Sequence, residues 1–235
     1  MDPRRFDAWP DVFAGAAALE DARALADDTA RPVEERADAL GGFAEGLDDP
    51  VLKRCYEAHR KAVSPGRFRN WSDLVSYAGF AVAPVATRFG EASGVEAGFR
   101  RHLEAFCVAA HLLDLIVHCR AEFAAHGRVY LPGDWMWSAG VAPGDLGARN
   151  AASGLRDVID RMLDRIEPTL EEAFPVARSI PDPRLRLAAT TEIAERRRLA
   201  RRLRKAGPTV DTVSLTALDR IAVWLQVRLP RRGPA

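Results

Sequence analysis

Three cysteines, at positions 55, 107 and 119, are too few and too irregularly spaced for a disulfide framework or a zinc cluster in a chain of 235 residues. Each falls within a helical pattern, so the reduced, mostly buried thiol of a cytoplasmic protein is the expected state. An excess of charge is missing as well: 34 basic and 33 acidic side chains leave a net +1, a balance that does not suggest a nucleic-acid partner. No stretch approaches the roughly 20 apolar residues of a membrane span. The opening MDPRRFDAWPDVF has no apolar core of signal-peptide length, so a soluble chain is expected. Also lacking are a serine, histidine and aspartate triad, ligand spacings for zinc and a glycine-rich phosphate loop. Period-two alternation, internal repeats and long linkers are nearly absent too. With 48% hydrophobic residues, the expectation is one domain over residues 1–235 with a sizeable core.

What is present is helical periodicity along the chain. Phe13 to Leu25 is alanine-rich, and Pro32 with Glu34 and Glu35 reads as the start of a second helix, which Gly41 and Gly42 weaken and Pro50 bounds. VLKRCYEAHRKAV is a short amphipathic helix stopped by SPGR. Asn70 or Ser72 caps the next helix, which bends near Pro84 and carries small residues that allow close approach of another backbone or a ligand. A long helix covers Val95 to Ala125, and LPGDWMWSAGVAPGDLGARN is a connection rich in proline and glycine. Ala152 to Glu171, Pro183 to Lys205 and Ser214 to Arg228 complete the set.

The long helix holds a polar ladder. His111, Asp114, His118 and Glu122 recur at i, i+3, i+7 and i+11, which places them on one stripe of an otherwise apolar helix. A lone histidine there would be a satisfied core residue, whereas four polar residues in register point to a site. The run ERRRLARRLRKAG, from Glu195 to Gly207, has two readings: a solvated helix face, or a patch drawn to phosphate or an acidic membrane surface.

Four stretches follow one another along the chain: ARALADDTARP, DLVSYAGFAVAPVATR, HGRVYLP and TVDTVSLTALDRIAVWLQVRL. From about Arg23 to Leu229 the chain resembles the squalene/phytoene synthase family, and most of all its hydroxysqualene synthase branch; residues 1–20 match poorly. The resemblance implies an all-α, single-domain bundle around a central cavity that holds prenyl diphosphates. Ionising an allylic diphosphate produces a carbocation and a highly charged leaving group. Carboxylates on two facing helices therefore hold Mg²⁺ against the diphosphate, and apolar or aromatic walls keep water from the cation. Carried over residue by residue, the resemblance makes Asp27, Asp28 and Glu122, with Glu20 beside them, candidate metal ligands. Arg23, Arg128 and Tyr130 become candidates for the diphosphate side, with Arg31 near phosphate. Tyr77 matches the tyrosine near the cyclopropyl chemistry, His111 stands in for a glutamine at the substrate, and Phe80 and Phe106 are candidate cavity walls. Each has a plainer alternative: an acid-rich helix end, a buried structural tyrosine, a buried pair fixing the turn after the long helix, or core aromatics.

Both acidic motifs depart from the family pattern. Arg31 stands where the first motif would have its last acid. With one extra residue before Gly127, the asparagine and two aspartates of the second motif become Asp114, His118 and Glu122. Imidazole ligates Mg²⁺ poorly but accepts protons well near neutral pH. His118 is therefore the expected base, Asp114 the acid that orients it, and the second metal site is weakened or missing. The chain is also short for the family, without a clear counterpart of its N-terminal serine-phenylalanine region or of a helix between LDDPV and LKRCYEAHRKAV. The resulting expectation is a divergent transferase that transfers or cyclises a single prenyl group, with a non-isoprenoid small molecule as acceptor. It would use Mg²⁺ and be cytoplasmic, in peripheral contact with a membrane. A presqualene or hydroxysqualene synthase is one alternative, and a non-catalytic binding or assembly protein on the same fold is another. In space, Asp27 and Asp28 should lie across from Asp114 and Glu122, with the whole ladder lining the cavity.

Overall fold

The computed structural model describes residues 10–63, 67–148, 153–206 and 213–228, and of residues 10–19 chiefly the backbone. Among the described residues all regular structure is helical: α1 (Pro10–Asp27), α2 (Val33–Glu45), α3 (Pro50–Val63), α4 (Trp71–Ala92), α5 (Arg100–His126), α6 (Gly133–Ser138), α7 (Ser153–Glu171), α8 (Phe174–Ser179), α9 (Pro183–Lys205) and α10 (Ala217–Arg228). The expected all-α architecture is the one observed. Residues 64–66 of the SPGR stop and residues 1–9 of the poorly matched N-terminal segment lie outside the described residues.

Local chemistry sets the helix ends. Asn70 caps α4 by accepting from the Asp73 amide at 3.0 Å, and the helix continues through Pro84. Asp182 caps α9 by accepting from the amides of Arg184 and Leu185 at 2.7 and 3.0 Å, with Pro183 preset for the first turn. Pro50 opens α3 as well as closing the preceding stretch, because Asp49 just before it accepts from the Val51 amide at 2.8 Å. α5 stops where Gly127 turns left-handed at φ 67° and its amide donates to the Phe123 carbonyl at 2.8 Å. The supposed plain connection after Leu131 contains α6 and a 3-10 turn at Pro143–Leu146.

α5 is the central helix and packs against α4, α7 and α9. Its neighbour α7 shows why: Leu155, Val158, Ile159, Met162, Leu163, Ile166 and Leu170 recur at helical spacing and are all buried. Phe106 belongs to this main core. A smaller cluster of Ala22, Ala26, Leu40, Cys55 and Tyr56 joins α1 and α2 to α3. Contrary to the expectation from run length, the segment Ala97–His126 is long and apolar enough to cross a membrane by length and composition. Half of its most apolar window is buried inside the protein, as befits the core helix of a bundle.

In the arginine-rich run of α9 most guanidinium groups pair with acids of neighbouring helices, while Arg201 and Lys205 are exposed. Arg197 pairs with Glu171, Arg198 with Asp219 at 2.8 Å, and Arg204 with Asp164 and Glu167 at 2.8 and 2.9 Å.

Candidate active site

The last turn of α1 meets the last turn of α5. Arg23 and Asp27 are one turn apart on α1, Glu122 and His126 one turn apart on α5, and the Gly127 turn delivers Arg128 between them. Arg23 reaches Glu122 at 3.1 Å and Asp27 at 3.6 Å. Arg128 bonds to the Asp27 carboxylate and the Ala26 carbonyl, and lies 3.7 Å from Glu122. Two carboxylates are thus held between two guanidinium groups. Arg128 is 6% exposed, whereas Arg23 is 58% exposed. Burial works against the Arg128 charge, but Tyr130, Asp27 and Glu122 outweigh it and raise its pKa.

His126 closes the cluster. One ligand atom each from Asp27, Glu122 and His126 lies within 4.8 Å of the others. Glu122 Oε2 and His126 Nδ1 are buried without a hydrogen-bond partner. Two unsatisfied ligand atoms one turn apart on α5, beside the Asp27 carboxylate of α1, fit a single cation better than a purely structural knot, which would leave neither of them idle.

Beneath the charges lies an aromatic floor. Tyr77 and Tyr130 stack with centroids 5.5 Å apart and share a hydrogen bond, and Phe68 packs on both at 5.2 and 5.8 Å. His59 and His111 flank Tyr77 at 6.2 and 6.1 Å. Burial, then Tyr130, pushes the Tyr77 phenol well above its ordinary value. Burial pushes His111 down to about 4 against the opposing pull of Asp114, so this imidazole is neutral near pH 7. His59 is lowered for the same first reason, with its bond to the Cys55 carbonyl resisting.

The structure therefore brings together Arg23, Asp27, Glu122, Arg128, Tyr130, Tyr77 and His111, but not the rest of the predicted set. Asp28 is corrected: it lies where α1 has ended, accepts from the Ala30 amide at 3.2 Å and pairs with Arg31 at 3.1 Å. Asp114 is corrected too, because Arg196 of α9 takes its carboxylate at 2.5 Å, leaving no orienting bond to His118. His118 is exposed, and among the described residues it has no hydrogen bond or ion pair, so the sheltered base does not exist as expected. The ladder is split: its two ends turn inward, while Asp114 is drawn to α9 and His118 faces solvent. Phe80 is 43% exposed in a groove between α3, α4 and α5 with Arg54 and Val108, outside the Tyr77–Tyr130–Phe68 stack. Glu20 is exposed. The residues not anticipated are His126, His59 and Phe68. His126 had a signal, since it continues the i+4 spacing one turn beyond Glu122.

The squalene/phytoene synthase profile matches residues 2–225. A hydroxysqualene synthase of Zymomonas mobilis subsp. mobilis is 27% identical over 174 residues, covering 73% of this chain and 57% of that protein. A hydroxysqualene synthase of Rhodopseudomonas palustris is 25% identical over 162 residues, covering 69% and 56%. The chain thus spans little more than half the length of these curated relatives. Among solved structures, a ligand complex of a dehydrosqualene synthase superposes with a TM-score of 0.73 at 18% identity, over 93% of this chain and 85% of that one. The squalene synthase of Alicyclobacillus acidocaldarius gives 0.67 at 21% identity, over 83% and 82%. At these identities the structural likeness establishes the fold.

Proposed function

The chain belongs to the squalene/phytoene synthase family, and from that premise we propose that it binds one prenyl diphosphate and transfers or cyclises its prenyl group, a small molecule serving as acceptor. The convergence of Asp27, Glu122 and His126 within 4.8 Å, between two arginines, carries this reading. Arg128 is a buried anion contact, and Arg23 is an exposed one placed to exchange Glu122 for a phosphate oxygen. A divalent ion held by Asp27, Glu122 and His126 would neutralise the diphosphate as it leaves. The faces of Tyr77, Tyr130 and Phe68 offer π-density to a developing cation, and their packing excludes water. With Asp28 and Asp114 otherwise engaged and His118 outside the cluster, the acids suffice for one headgroup. This favours a single prenyl substrate over condensation of two. A cytoplasmic setting, which three free thiols suit, is part of the proposal.

A second reading, a non-catalytic relative that only binds, is favoured by one observation: each carboxylate already has a guanidinium partner, so the site is charge-balanced without ligand. The two are separated by incubating the protein with dimethylallyl, geranyl and farnesyl diphosphates and Mg²⁺ or Mn²⁺, while following thermal stabilisation and diphosphate release. Stabilisation with release supports the transferase, and stabilisation alone supports the binding protein. Neither effect with any of the three would overturn both.

A further inference from the structure

Helix α10 leaves one face uncovered. Val223 is 2% exposed, whereas Leu218, Ile221, Trp224 and Leu225 are 77, 55, 51 and 42% exposed. At about 100° per residue these four fall on the side away from Val223. Leu187 of α9 extends the strip, sharing a groove with Trp224, Arg184 and Arg228. Large apolar side chains contiguous over about two turns differ from the single exposed leucines of an ordinary surface.

Charge indicates what covers this face. Arg228 lies over the Trp224 ring at 5.0 Å. Arg184, Arg201, Lys205 and Arg220 are exposed along α9 and α10. The one acid of α10, Asp219, is buried and engaged by Arg198 and Arg202. A second copy docked across a two-fold axis would set these cations against their own images with no free carboxylate of α10 to answer them. Anionic lipid headgroups supply the missing charge. Tryptophan and branched aliphatics bordered by arginine are the composition of a helix lying in a bilayer interface.

We propose that α10 docks the protein on an anionic membrane surface. Leu218, Ile221, Trp224 and Leu225 enter the acyl boundary, and Arg184, Arg220 and Arg228 sit at the headgroup phosphates. This site is separate from the Asp27 cluster and does not depend on the chemistry performed there.

The test uses the full chain and vesicles of phosphatidylcholine, alone or mixed with phosphatidylglycerol. The protein should sediment with the mixed vesicles and much less with the neutral ones, and its binding should fall with added salt. The double variant Ile221→Glu/Leu225→Glu should weaken binding by about tenfold or more, and Arg220→Gln/Arg228→Gln by several-fold. Because all four positions are exposed, the melting temperature should hold. In a Trp137→Phe background, lipids brominated on the acyl chains should quench fluorescence that disappears on Trp224→Phe. This readout on an otherwise intact α10 stands even if a charge variant folds poorly. Failure to bind mixed vesicles, or equal binding by the double variant, would overturn the proposal. A dimer in solution that Ile221→Glu/Leu225→Glu dissociates, without vesicle binding, would assign the face to a second copy.

Discussion

Asp27 and Asp28 are neighbours with opposite fates. Asp27 is still on the helix and faces α5, whereas Asp28 follows the last helical residue and closes a local turn. Asp27→Asn should therefore lower diphosphate release by about 100-fold or more by removing preorganised charge at the leaving group. It should also destabilise the protein by about 2 kcal/mol, because it leaves the buried Arg128 guanidinium short of its partner. Asp28→Asn should change release by less than about threefold, as a surface turn residue. Equal losses from the two variants would return both to a single acidic patch. The buried imidazoles make a second prediction. His111 titrates near 4 in the folded protein against 6.5 ordinarily, and His59 is lowered too. Below pH 6.5 the unfolded chain takes up protons that the folded one refuses, so their contribution is complete above that pH and is lost as pH falls toward 4. For His111 the loss is at most about 3 kcal/mol. Urea midpoints measured between these limits should fall with acid, and less steeply in His111→Gln; identical slopes would show that the His111 ring is wetter than its packing implies.

At the scale of elements, two glycines separate close packing from plain helix weakness. A Cβ at Gly154, in the first turn of α7, would lie 2.1 Å from the Ala139 carbonyl oxygen, while one at Gly42 meets nothing within 4 Å. Gly154→Ala should cost about 1 to 3 kcal/mol by forcing α7 off the α6 turn. Gly42→Ala should stabilise by roughly 0.5 to 1 kcal/mol, since its helical backbone suits alanine and the unfolded chain loses freedom. Thermal melts of the two variants moving in the same direction would contradict this assignment. Helix chemistry of this kind was legible beforehand: Asn70 or Ser72 as the cap of α4, Pro183 to Lys205 as a helix with those bounds, and Gly41 with Gly42 as the glycines of α2. Caps, proline and glycine act within a turn of where they stand. Gly154 was not legible, because its constraint is a carbonyl from a separate element.

For the whole molecule, α9 is the strut that joins the central helix to both flanks. Arg196 holds Asp114 of α5, Arg197 and Arg204 hold α7, and Arg198 and Arg202 hold Asp219 of α10. Arg198 and Arg202 converge on one buried carboxylate, so α10 should depend on Asp219 more than on any other polar residue. Asp219→Asn should accelerate amide exchange throughout α10 while leaving α5 protected. Uniform acceleration would mean that α10 is integral to global stability, and no change would show that Val223 alone suffices to hold it.

The long helices and the family resemblance were written in the sequence, because periodicity and motif order are properties of neighbouring positions, whereas the short α6 and α8 were not. The partners in the site were not. Asp27 meets Arg128 across 101 positions, and Asp114 meets Arg196 across 82. Those meetings depend on how α1 and α9 are rotated and seated against α5. A stripe drawn on one helix says which residues share a face, but not which neighbouring helix covers each part of it. Tertiary packing covered His111 and Glu122, handed Asp114 to α9, left His118 in solvent, and brought in His126 from one turn beyond the ladder.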